Sequence, residues 1–185
     1  MAGARRDREE GLKREPTDEQ SWLSRGVARL GWDDKGALED FRKALAFNPR
    51  SLAGHVNAAY VLAERQGKTG EALELLDRAV AHHPDHARTR ATRGVLLARL
   101  GRRAEAVVDA EALQATADAA VLFQLGALYA QTSRAEPKDR AEAMRLLRLA
   151  LKKGHGHDQL GSPDFAPLRQ TAEFQRLVRA AQGLN

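Results

Sequence analysis

The chain has 185 residues, 43% hydrophobic but only 5% aromatic, and a net charge of +5. That supplies one domain-sized core built from Ala, Leu and Val rather than rings, which suits closely packed helices and argues against a β-sandwich. Without a single Cys, disulfide staples and Cys-based zinc sites are excluded, and no apolar run reaches the roughly 18 residues of a membrane span.

Residues 1–16 are of mixed charge and read as a linker or a frayed helix. They hold no apolar run, so neither a secretory signal nor an anchor is expected, and the cytoplasm is the expected location. Thr17-Asp-Glu-Gln20 has the capping-box pattern that opens a helix. Apolar periodicity then predicts four helix pairs: 17–31 with 35–47, 52–66 with 69–82, 86–100 with 103–114, and 118–132 with 138–153. Gly31, Gly67, Gly101 and Gly154 stand where left-handed residues would end helices. Ser162-Pro-Asp-Phe165 predicts a short helix near 164–168. Thr171–Gln182 predicts a last one, with Phe174, Leu177 and Val178 on one side, lying over the end of the fourth pair.

Three phrases between these helices are nearly the same: Gly31-Trp-Asp-Asp-Lys-Gly-Ala-Leu38, Gly67-Lys-Thr-Gly-Glu-Ala-Leu73 and Gly101-Arg-Arg-Ala-Glu-Ala-Val107. They recur every 34–36 residues, a period that marks stacked helix pairs. The first unit shows Trp22, Gly26, Ala37, Phe41, Ala44 and Pro49, one residue short between Gly26 and Ala37. The second has Ala72, Ala79 and Pro84, with Tyr60 where a small residue is usual. The third has Gly94, Gly101 and Ala106, and the fourth Gly126, Tyr129, Ala143 and Ala150. This resembles the tetratricopeptide repeat (TPR). The resemblance implies an all-α fold, a right-handed α-α superhelix of four helix pairs (about 17–49, 52–84, 86–116 and 118–153) with capping helices in 154–185. Residues 154–181, with Gly-His-Gly-His and Asp164-Phe-Ala-Pro-Leu-Arg, resemble the end of TPR segments that follow bacterial serine/threonine kinases of the planctomycete type.

Motifs for chemistry are weak. Gly67-Lys68-Thr69 imitates the end of a phosphate loop, but Leu62 stands where the motif needs Gly and a helix precedes it. His82, His83 and His86 flank Pro84, and His155 and His157 flank Gly156; neither group has the three convergent ligands of a zinc site. No serine sits in a nucleophile elbow. The expectation is a chain with no catalytic residues, no metal, no cofactor and no small-molecule site.

The arginines carry the functional reading. They number 23 against 7 Lys, and six of them (Arg88, Arg90, Arg93, Arg99, Arg102 and Arg103) fall between Ala87 and Ala104, a stretch without an acid. Arginine grips carboxylate or phosphate at two points. In the TPR family the first helix of each pair lines a concave groove. The resemblance therefore implies a peptide-binding surface of Asn57, Val61, Arg65, Arg88, Ala91, Val95, Arg99, Phe123, Ala127 and Gln131. Its partner would be another protein offering an acidic or carboxylate-bearing peptide. The carboxylate clamp of the chaperone-tail receptors in this family is matched only at Arg88. Two alternatives stand beside this: the regulatory tail of a larger kinase-like enzyme, and nucleic-acid binding through the third pair. Against the latter, Trp and Tyr do not interleave with the arginines as a stacking platform would. The competing reading of the run is a solvated face paired with neighbouring Asp and Glu.

Overall fold

A computed structural model describes residues 15–183, in which every regular element is helical. The charged start, as far as Arg14, lies outside the described residues. Packing divides the chain at the link between His83 and Pro84.

The first unit holds two helix pairs. Helix α1, Glu19–Arg29, starts at Asp18 and not at Thr17. The Asp18 carboxylate accepts from both the amide (2.9 Å) and the hydroxyl (2.7 Å) of Ser21. An ionised cap also suits the positive end of the helix dipole, so it prevails over its neutral neighbour. Helix α2, Asp34–Phe47, packs on α1. At their crossing Gly26 lies so near the buried Phe41 ring that a Cβ there would stand 2.5 Å from it.

Helix α3, Leu52–Tyr60, begins at Ser51 and continues into a π turn, Val61–Arg65, before α4, Thr69–His82. The π turn corrects the reading of the second repeat. Buried Ala59 follows the buried His55 by four residues, just as Gly26 follows the buried Trp22, so Ala59 is the small residue of this repeat. Tyr60 comes next and faces outward. One extra residue then separates Ala59 from Ala72 relative to the third repeat, and the wider π turn takes it up.

The second unit holds α5, Ala87–Arg99; α6, Arg103–Glu111; α7, Ala119–Thr132; and α8, Asp139–Lys152. Helix α6 stops three residues before the expected end, and residues 112–116 turn toward the cap of α7. That cap is Asp118, whose carboxylate accepts from the amides of Ala120 (2.8 Å) and Val121 (3.1 Å). The four glycines expected to end helices all have positive φ. After Gly154 only a 3-10 turn, Pro163–Phe165, forms in place of the expected short helix, followed by α9, Ala172–Ala181. The 3-10 turn packs on α7 and α9 on α8. Phe165, Leu168 and Phe174 of this tail are buried. No described helix is long and apolar enough to cross a membrane.

Candidate protein-interaction site

The acid-free arginine run is answered from elsewhere in its own unit. Arg90 and Arg93 both reach Asp109 on α6, which is 0% exposed (Arg93 Nε to Oδ2, 2.7 Å; Arg90 Nη1 to Oδ1, 3.2 Å). Arg88 pairs with Asp118 at 3.0 Å, and Arg102 with Glu105 through two hydrogen bonds. Arg103 donates to both oxygens of Asp139 at 2.7 Å. Burial pushes the Asp139 carboxyl up, but the hydrogen bonds from Arg103 and Thr132 and the Arg103 charge outweigh it and hold Asp139 below the usual range. The first unit repeats the arrangement, with Arg25 and Arg29 on the buried Asp40. The guanidinium groups on Asp109 and Asp40 clip the two helices of a pair together, whereas Arg88 and Arg103 tie the third pair to the fourth.

Arg99 does something different. Its Nε and Nη2 donate to the two oxygens of Asp164, at 2.7 and 2.8 Å, a two-point grip on the tail. Gln131 Nε2 donates to the Asp164 carbonyl at 2.8 Å. Phe165 sets its ring edge-on to Phe123 at 5.3 Å, and His155 does so at 5.6 Å. The tail thus rests on the very side chains of α5 and α7 that the repeat pattern assigned to a groove.

The ten expected groove residues fall into both units. In the first, Asn57 is half-buried, Val61 is in the core, and Arg65 is exposed. Arg65 lies 3.8 Å from Asp34 and over the Tyr60 ring, 5.8 Å from its centroid. In the second, Ala91, Val95, Phe123 and Ala127 are buried, Arg99 and Gln131 are half-buried on the tail, and Arg88 is exposed.

Two residues that the groove assignment left out stand uncovered. The residue just after the small one of each first helix is Val27, Tyr60, Val95 or Ala127. Val95 and Ala127 are 6% and 5% exposed, whereas Val27 is 52% and Tyr60 42% exposed. A repeat alignment counted from the buried aromatic position would have found Tyr60; the signal was obscured by the extra residue of the π turn. Asp164 and Phe165 were read as the start of a helix, and nothing local marks them as a segment that fills a groove.

The histidines take structural places. His55 is buried in the first unit. Its Nδ1–H donates to the Ser51 carbonyl at 2.8 Å, and its ring lies 6.2 Å from that of His82. Burial lowers its pKa, and the charges of His82, Arg78 and His83 lower it further, against the Ser51 bond. Among the described residues no three His, Asp or Glu side chains form a metal-holding group.

Comparison with known proteins gives the fold an independent footing. No protein-family model matches the chain, and no curated protein matches it. Among solved structures, the crystal structure of MamA has a TM-score of 0.61 at 19% identity, over 83% of this chain and 88% of that one. TTC0263, a thermophilic TPR protein of Thermus thermophilus, has a TM-score of 0.62 at 23% identity, over 96% of this chain and 88% of that one. The all-helical fold is that of TPR proteins.

Proposed function

We propose that this TPR-fold chain is a non-catalytic protein-interaction module that holds a segment of another protein on the first helices of its repeats. The observation that carries this reading is the exposure of Val27 and Tyr60 at the repeat position that is covered in the second unit. Apolar side chains held out by a rigid helix scaffold favour binding over solvation. Arg65 beside Tyr60 supplies the charge that an acidic partner would meet. Repeat surfaces of this kind take extended or helical segments by side-chain pockets along successive helices.

The test is affinity capture from the source lysate with the full chain and with a Val27→Asp, Tyr60→Asp double variant, its fold checked by circular dichroism. A protein retained by the first and lost, by at least about tenfold, from the second is the expected result. Equal retention by both, or none by either, would overturn the reading.

A further inference from the structure

The second unit shows what chemistry its repeat face accepts. Arg99 stands two residues before Gly101, whose positive φ ends the helix, and it grips a carboxylate. The residue after that carboxylate, Phe165, fills the apolar space beside Phe123. Asp164-Phe165 is therefore an acidic–aromatic pair read by an arginine, an amide (Gln131) and an apolar strip.

The first unit carries an arginine at a helix end and apolar side chains of its own, and these are exposed. Arg65 also stands two residues before a helix-ending glycine of positive φ, Gly67. The extra residue of the π turn keeps Arg65 at the helix end despite the longer count from Ala59. Tyr60 and Val27 supply the apolar strip. The Arg65 guanidinium also reaches the end of α1, 4.0 Å from where a Cβ on Gly31 would stand. Its partner Asp34 is distant for an ion pair, at 3.8 Å; Arg65 is exposed and Asp34 half-exposed, so a closer carboxylate would displace it at little cost.

Resting on the proposed interaction role, we infer that the α1–α3 face of Val27, Tyr60 and Arg65 binds a partner segment in which Asp or Glu is followed by an aromatic residue. The carboxylate pairs with Arg65 and the ring lies on Val27 and Tyr60.

A fluorescein-labelled peptide with the sequence of residues 160–168, Leu-Gly-Ser-Pro-Asp-Phe-Ala-Pro-Leu, is the probe, titrated by anisotropy against the full chain. Amide chemical-shift mapping locates the site. The expected result is saturable binding with shifts in α1 and α3. Binding should weaken about tenfold or more with Arg65→Glu, and equally when the peptide's Asp is replaced by Asn and its Phe by Ala. The peptide variant reports even if Arg65→Glu perturbs the fold. Absence of binding up to about 1 mM peptide, the weak end of specific recognition, overturns the inference. So does binding indifferent to both changes, or shifts centred on Arg99 and Gln131, which would mean exchange with the tail. Dimerisation of the chain alone that Tyr60→Ser abolishes would assign the face to a second copy and overturn it too. If the lysate capture succeeds through Val27 and Tyr60 while the peptide fails, only the chemistry of the partner is wrong. If both fail, the interaction reading falls.

Discussion

Asp109 has no access to solvent and holds two guanidinium groups, so its charge is tolerated only while they stay in place. The fourth repeat carries Leu125 and Leu146 at the places of Arg93 and Asp109, both buried, and the second carries Ala58 and Leu75. At these two places a repeat carries either an ion clip or two apolar residues. The change Asp109→Ala should cost about 3–5 kcal/mol, because Arg90 and Arg93 keep their charge in a half-buried place. The double change Arg93→Leu, Asp109→Leu should recover most of that loss, and urea denaturation midpoints would read both. His55 sets a pH dependence of opposite origin. Its folded-state pKa lies below the 6.5 of the unfolded chain, so the unfolded state takes up the proton first. The stability that neutral His55 contributes is whole above pH 6.5 and is lost as pH falls below it. Denaturation of the wild type at about pH 7.5 and about pH 5 should show this loss, and His55→Gln should flatten that part of the profile.

Helix ends and turns decided most of what the elements do. The turn glycines were legible because they are local signals, and all four have positive φ, whereas the first cap falls on Asp18 and not on Thr17. The π turn was not legible, since Val61, Leu62 and Ala63 form a continuous apolar run that hides the change of phase an extra residue brings. The early end of α6 was missed because apolar spacing continues through Leu113, which is buried although its residue is no longer helical. The tail depends most on one backbone position. Gly156 has φ +91°, and a Cβ there would lie 2.3 Å from the Phe123 ring. Gly156→Ala faces both backbone strain and a collision with a packed ring, and should cost about 2–4 kcal/mol. Limited proteolysis should then cut within residues 157–171 faster than in the wild type, while sites in α1 to α4 keep their rate.

For the molecule as a whole, a charge of +5 and a run of six arginines suggested a cationic surface. Glu105, Asp109, Asp118, Asp139 and Asp164 leave that run nearly neutral. The arginines were visible in the sequence; their partners were not, because Arg99 and Asp164 lie 65 positions apart with no periodic pattern linking them. The repeat fold was legible from the spacing of small residues. Which repeats stay open was not, since that depends on where a non-repetitive tail comes to rest. The tail also has a consequence for dose. It is joined to the face it covers by residues 153–162 alone, so it is present there at an effective concentration on the order of millimolar, whatever the dilution of the protein. A free segment of equal intrinsic strength would have to exceed that level to enter. On the proposed interaction role, the second unit would stay silent at the amounts at which proteins meet in a cell, and selectivity between partners would be left to the first.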